Sequence, residues 1–392
     1  MRLLKMRFSG FNLFEDSELT LDFFASDRVA EKRGVAELSV PIYSNTVVAF
    51  AGINATGKTT SLKLVLCALN ILCGRPLMGE FRDAAFSFAD ERVCFEAIFW
   101  HEGGYYCLSS QIVLAGAPDS VLSDSWKFEE ETLWRASSLG VKGALKSFDD
   151  FRRHAQMVQR RGDLSEESLD FLSDDTSMVT ALTRGDGQYV PRMLYQDRQW
   201  LRMADWTIDG AVLKVFDDSI ESCRFDKDED EYCLSFETGA SIRVGGKGDS
   251  LAEFLSDGTI KGANLVRQAL SALQTGGYLL VDEVENRLNK QLVGLIIDLF
   301  ESDETNPRGA TLVFSTHYPE VLDFIKRKDN VYFFSRDDEH RVRAMLYSHR
   351  VKRIENKKSE VFLSNFLRGT APKFSIVRDL KLRIAQLVGE GA

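Results

Sequence analysis

One stretch of eight residues limits what this chain can fold into more than any other feature. Gly52-Ile53-Asn54-Ala55-Thr56-Gly57-Lys58-Thr59 fits the phosphate-binding pattern G-x-x-x-x-G-K-[ST] at every fixed position. Glycines let the backbone wrap closely enough for several N–H groups to face one anion. A helix starting at the end of the loop adds the positive end of its dipole. At average residue frequencies, a chain of this length gives on the order of 0.01–0.02 such matches by chance. The flanks agree: Val47–Ala51 reads as a buried strand, and from Thr59 to Cys73 apolar residues surround a helix, as in one buried on all sides. The pattern marks Gly52, Asn54, Ala55, Thr56, Gly57, Lys58, Thr59 and Thr60 as a cradle for nucleotide phosphates. Lys58 would reach the β- and γ-phosphates, and the Thr59 hydroxyl would join a Mg2+ shell.

Three later segments supply what such a loop needs. The apolar strand Tyr278–Val281 delivers Asp282 and Glu283 at its C-terminal end, where open α/β sheets place their ligands. Asp282 is expected to bind Mg2+, and Glu283 to orient or deprotonate an attacking water. Alone, a strand ending in Asp-Glu reads as a solvated pair; after a phosphate loop it reads as catalytic. Thr311–Ser315 is the next core strand and runs into Thr316-His317. A lone histidine is usually a surface one, but this one stands at the same sheet edge, in reach of a γ-phosphate or of the water held by Glu283. Leu255-Ser256-Asp257-Gly258-Thr259 opens a helix, either as an ordinary capped turn or as an anion contact. Its place ahead of Asp282 favours the second.

Around these motifs the two halves differ. Arg2–Phe8, Glu18–Phe24, Arg92–Leu114 (folded at Glu102-Gly103-Gly104) and Phe128–Arg135 read as antiparallel strands. Residues Leu145 to Ala204 are polar and helix-leaning, as in a protruding lobe, and the acidic run Asp226–Glu231 reads as a solvated loop between strands. Beyond Ala252 come a helix ending at Gly276-Gly277, strand Tyr278–Val281, helix Lys290–Phe300, strand Thr311–Ser315, helix Glu320–Lys326 and strand Asn330–Phe334, an alternation that implies a parallel sheet. The expected fold is α/β, with an antiparallel β subdomain and an inserted helical lobe. Its units would be 1–142 (phosphate loop and β subdomain), 143–210 (helical insertion), 211–345 (second α/β lobe) and 346–392 (basic helical tail).

Composition narrows the class. With 392 residues, 44% hydrophobic and 28% charged, the chain has the make-up of a large globular protein. A net charge of −10 does not suit indiscriminate DNA coating. No apolar run reaches the ~18–20 residues of a membrane span. The start continues into strand-like sequence without a small-residue cleavage site. Six scattered cysteines form no CxxC pair and read as reduced thiols. The expectation is a cytoplasmic protein with no membrane partner. Arg350, Lys352, Arg353, Lys357 and Lys358 in the tail, with Arg152, Arg153, Arg160 and Arg161 in the lobe, leave DNA open as a partner of a local basic surface.

Taken in order, the phosphate loop, the signature-like Ser256–Gly258, the Asp-Glu strand and the histidine resemble the heads of ABC-type ATPases. Within these, "FLSDGTIKGANLV", "LLVDEVENRLN", "FSTHYPEVLD" and the opening "LLKMRFSGFNLFEDSELTLDF" are most similar to the SMC-like and OLD-like AAA ATPases of bacteria, over about Met1–Leu72 and Phe236–Phe334. The resemblance implies that Lys58 and Thr59 are Walker A residues, Asp282 and Glu283 the Walker B pair and His317 the switch histidine. Ser256 and Gly258 would contact the γ-phosphate of ATP held by another subunit, although Asp257 stands where ABC transporters usually carry glycine. Asn289 falls at the D-loop position, and Gln196 and Gln111 are candidates for the Q-loop. It further implies ATP and Mg2+ as cofactors, a head-to-tail homo-oligomer of at least two chains, and a sensor ATPase of anti-phage defence. That ATPase would act with a separately encoded effector such as a nuclease or toxin, because the 75 residues after His317 are too few for the TOPRIM module of OLD nucleases. DNA-repair ATPases that clamp DNA share the motifs but need a long coiled coil, and no sustained heptad run is present. A scaffold that binds ATP with little turnover is the third reading.

Overall fold

The computed structural model describes residues 1–77, 86–115, 125–183, 192–194, 207–245, 251, 253–286, 288–351, 357–364 and 374–390. The N-terminal half runs through β1 (Arg2–Phe11), β2 (Glu18–Asp22), β3 (Val35–Ser39), β4 (Ile42–Asn45), β5 (Val47–Gly52), α1 (Lys58–Leu72), β6 (Ala89–His101), β7 (Gly104–Ala115) and β8 (Ser125–Ala136). The middle holds α2 (Phe148–Arg153), β9 (Gln156–Arg160), α3 (Glu166–Asp170), α4 (Thr180–Thr183), β10 (Arg192–Leu194), α5 (Gly210–Phe216), β11 (Ile220–Asp226), β12 (Glu231–Phe236) and β13 (Ser241–Gly245). The C-terminal part comprises α6 (Asp257–Thr275), β14 (Tyr278–Val281), α7 (Lys290–Glu301), β15 (Thr311–Thr316), β16 (Val331–Arg336), β17 (Val342–Leu346), α8 (Tyr347–Arg350), α9 (Lys358–Leu363) and α10 (Phe374–Glu390).

The central sheet has the order β10-β14-β15-β5-β16-β17, parallel except for the antiparallel edge strand β17. Strands β5, β14, β15 and β16 are buried on both faces, the pattern of a sheet covered on both sides. Val48, Phe50, Leu280, Val313 and Phe334 pack with α1 and the antiparallel sheet β2-β1-β6-β7-β8-β9 in one core. Val47, Ala49, Ala51, Leu279, Val281, Leu312, Phe314 and Phe333 face the other core, with α6 and α7. Helix α1 is buried along most of its circumference, as its apolar sequence requires. The mixed α/β architecture is consistent with a P-loop ATPase domain. Among the described residues, no helix is long and apolar enough to cross a membrane.

Three expectations change in detail. The helix expected at Glu320–Lys326 is a 3-10 helix, Pro319–Phe324, whose buried Val321 and Leu322 plug the core between β15 and β16. The region expected to be helical after Leu145 holds short helices and also β9, which pairs with β8 and extends the antiparallel sheet, so tertiary pairing overrides the local helix bias. Part of that region, including Gln196, lies outside the described residues, as do Lys352 and Arg353 of the tail. Finally, of the four lobe arginines only Arg160 is exposed without an ion pair among the described residues. Arg152 is paired with Glu96 and Asp149, Arg153 with Asp150, and buried Arg161 with fully buried Glu131. The acidic run is, as expected, the turn joining β11 to β12.

Candidate nucleotide site

The site forms where β5, β14 and β15 end side by side, because parallel strands in register bring their C-terminal residues to one edge. From β5 the chain turns through Gly52 to Gly57 into α1. Ala55 and Gly57 both have positive φ (60° and 83°). A Cβ on Gly57 would come within 2.7 Å of Val342 Cγ2, so this position combines a left-handed backbone with close packing and accepts only glycine without strain. Thr56 Oγ1 donates to the Ile53 carbonyl at 2.8 Å and ties the loop to itself.

Lys58 is 4% exposed. Its Nζ donates to the carbonyls of Gly52 (2.9 Å) and Ile53 (2.8 Å) and lies 3.1 Å from His317 Nδ1. Burial pushes its pKa down to about 8, against the attraction of Asp282, Glu285 and Glu283. His317 Nε2 lies 2.9 Å from Glu283 Oε1. A carboxylate accepts, so Nε2 carries a proton toward Glu283, while Nδ1 lies between Lys58 Nζ and the Gly52 carbonyl, 3.2 Å away. A cation, a histidine and a carboxylate thus form one chain across the loop.

Asp282, at the end of β14, is 8% exposed and accepts from Thr59 Oγ1 (2.8 Å) and from Ser315 Oγ (2.5 Å). Ser315 also accepts the Glu283 N–H at 2.8 Å, and Glu283 itself sits at φ 48°, an unusual conformation for a non-glycine residue that turns its side chain toward His317. The His317 N–H donates to Glu285 Oε1 at 2.6 Å, while Glu285 Oε2 is buried without a hydrogen-bond partner among the described residues. Arg336, at the end of β16, donates through Nε to the Ala55 carbonyl at 2.6 Å. Asn54, Ala55, Thr56, Gly57, Lys58, Thr59, Thr60, Glu283 and His317 line one open cavity of about 410 Å3, together with Leu13, Phe88 and Arg336.

The structure therefore brings the phosphate loop, Asp282, Glu283 and His317 together. Ser256 and Gly258 do not line this cavity. Ser256 caps α6, its Oγ accepting the Thr259 N–H at 3.0 Å, and Asn289 likewise caps α7. Gln111 lies on β7 of the antiparallel sheet, opposite Cys94 and Glu130. Sequence reasoning missed Ser315, Glu285 and Arg336. The first two stand one strand end and two residues from residues it had identified, the only signal available for them. Among the described residues, no three His, Cys, Asp or Glu side chains converge to hold a metal by themselves. The Thr59 hydroxyl and Asp282 carboxylate are hard oxygen donors of the type Mg2+ takes, with phosphate oxygens and water left to fill its shell.

Fold and site define a P-loop nucleotide-binding domain. In agreement, residues 213–323 match the family model described as "AAA domain, putative AbiEii toxin, Type IV TA system", a stretch that includes Ser256, Asp282, Glu283 and His317. The match supports an AAA-type P-loop ATPase, with nucleotide binding and ATPase activity as the general property of such domains. It begins after the phosphate loop, which the sequence pattern and the geometry supply independently. No curated protein matches the chain.

Proposed function

We propose that the chain is a Mg2+-dependent ATPase switch that closes head to tail around ATP and serves as the sensor of an anti-phage defence system, controlling a separately encoded effector. The observation that carries this reading is the convergence of Lys58, Thr59, Glu283 and His317 on one cavity, with Asp282 hydrogen-bonded to the Thr59 hydroxyl. Lys58 and the N–H groups of residues 54–60 hold the phosphates. Thr59 and Asp282 hold Mg2+, which neutralises phosphate charge when bound. Glu283 accepts a proton from the water that attacks the γ-phosphorus, ADP leaves, and His317 donates from Nε2 to keep the Glu283 carboxylate aimed.

Assembly in trans is supported by the position of the signature: exposed Ser256 and half-buried Gly258 open α6 away from the chain's own cavity, available to another copy. The toxin-associated description of the matched family fits a defence setting. The pairing of Arg152, Arg153 and Arg161 with carboxylates weakens the DNA-clamp alternative. Mass and ATP turnover of the wild type beside Glu283→Gln, with and without ATP, test the reading. The expected result is hydrolysis by the wild type and an ATP-dependent larger assembly that Glu283→Gln traps. Assembly indifferent to ATP would remove the trans arrangement, and absence of hydrolysis with every candidate partner would leave a scaffold.

A further inference from the structure

A second cavity, of about 930 Å3, lies at the opposite edge of the central sheet. The phosphate loop leaves the C-terminal end of β5, whereas this cavity is walled by the Lys326–Asp329 loop that enters the N-terminal end of the parallel strand β16. Its other walls are the segment from Asp27 to Arg33, Tyr347 at the head of α8 and Lys358 at the head of α9. The volume is within the ~300–1,000 Å3 range of small-molecule sites.

Its charges are unevenly satisfied. Arg33 is held by Asp298, and Arg327 grips the buried Asp329 carboxylate through two bonds at 2.6 and 2.8 Å. Those guanidiniums are spent on structure. Exposed Arg28 and Lys326 face the cavity as well, and half-buried Lys358 places its Nζ on the Ile325 carbonyl at 2.7 Å, with no ion pair among the described residues. Burial lowers the Lys358 pKa, against the attraction of Asp323 and Glu301. Two further groups are left open: the Tyr347 hydroxyl, on a side chain 2% exposed, and Asp27 Oδ2 are buried with no hydrogen-bond partner among the described residues. Such groups are rare in folded proteins and call for a partner.

We propose that this cavity is a second ligand site, separate from the phosphate loop, for a phosphorylated ligand that also carries hydroxyl groups, the chemistry of a nucleotide. Arg28, Lys326 and Lys358 receive the phosphate, the Asp27 oxygen accepts from a ligand hydroxyl, and the Tyr347 hydroxyl completes the polar wall. The ligand is either a free nucleotide or the phosphorylated end of a nucleic-acid strand.

The test uses the full chain carrying Lys58→Ala, so that the phosphate loop no longer competes. Calorimetric titration with AMP, tripolyphosphate, a 5′-phosphorylated tetrathymidylate and its 5′-hydroxyl counterpart should show one binding event per chain for phosphate-bearing probes. Adding Arg28→Glu and Lys326→Glu, both exposed positions whose fold is checked by circular dichroism, should weaken it at least tenfold. Binding of AMP identifies a free nucleotide as the source, and binding of the 5′-phosphorylated strand without AMP identifies a strand end. No heat with any probe, or the same affinity after charge reversal, overturns the proposal. ATP hydrolysis by the double variant with Lys58 intact separately tests the first site.

Discussion

Ser315 Oγ donates to Asp282 Oδ1 at 2.5 Å while accepting the backbone N–H of the next residue, Glu283, at 2.8 Å. One fully buried hydroxyl therefore fixes the metal-binding carboxylate and the strained backbone from which the proposed base projects. Ser315→Ala keeps the shape of β15 but leaves a buried carboxylate oxygen and an N–H without their partner, which costs about 1–3 kcal/mol. Turnover should fall tenfold or more while ATP affinity stays within about threefold, because the phosphate loop is untouched. Steady-state kinetics beside equilibrium ATP binding separate the two. A parallel loss of both would mean that Ser315 acts only through folding.

Gly57 and Gly103 offer an internal comparison. Both have φ near +80°, but a Cβ on Gly57 would meet Val342 Cγ2 at 2.7 Å, whereas one on Gly103, in the β6–β7 hairpin, meets nothing within 4 Å. Gly103→Ala carries only the conformational penalty, about 1 kcal/mol. Gly57→Ala adds a clash and should cost about 1–3 kcal/mol more, with loss of measurable ATP binding. Chemical denaturation and nucleotide titration of both variants check the difference.

What was legible beforehand follows from the range of the interactions involved. The phosphate loop is a local device in which the dihedral and donor requirements of eight consecutive residues are written as Gly, Lys and Thr, and the apolar strands on either side of it needed only short runs. Asp282, Glu283 and His317 were readable because each terminates such a run. Ser315 and Glu285 act through bonds made across strands, and nothing at their own positions distinguishes a serine or glutamate that is buried from one that is not. Strand β9, Gln156-Met-Val-Gln-Arg160, was hidden for the same reason, since it is mostly exposed and exists as a strand through its pairing with β8. The Arg161–Glu131 pair spans thirty residues and turned an expected surface charge into a buried one.

Lys58 gives the chain a predictable response to pH. Its folded pKa of about 8 lies below the ordinary 10.5 because burial penalises the ammonium. Between these values the unfolded chain binds the proton and the folded chain does not, so Lys58 adds stability as pH rises from about 8 toward 10.5. Below 8 both states are protonated and the contribution is absent. The full difference corresponds to about 3 kcal/mol. In nucleotide- and metal-free buffer, the stability of the wild type relative to Lys58→Met should therefore increase across pH 8–10. A flat difference would show that the ammonium loses less by burial than its position implies.

The fully buried Glu131 carboxylate accepts from Arg161 Nη1 at 2.8 Å, Ser177 Oγ at 2.5 Å, the Met178 N–H at 2.8 Å and Ser110 Oγ at 3.2 Å. Arg161 in turn donates to the carbonyl of Thr176 at 3.0 Å, so β8 and the segment from Arg161 to Met178 are joined through one ion pair. Removing one member strands the other charge in a dry interior, a cost of about 3–5 kcal/mol. Glu131→Ala should destabilise the chain by that amount, whereas Glu131→Leu combined with Arg161→Met replaces both charges with apolar groups and should lose far less. If the pair serves only to dock the segment from Arg161 to Met178, proteolysis of the single variant will cut within it while the nucleotide cavity, built from the ends of β5, β14 and β15, still binds ATP. Limited proteolysis with and without ATP reads both effects in one experiment, and loss of ATP binding together with early cleavage would show that this segment supports the central sheet as well.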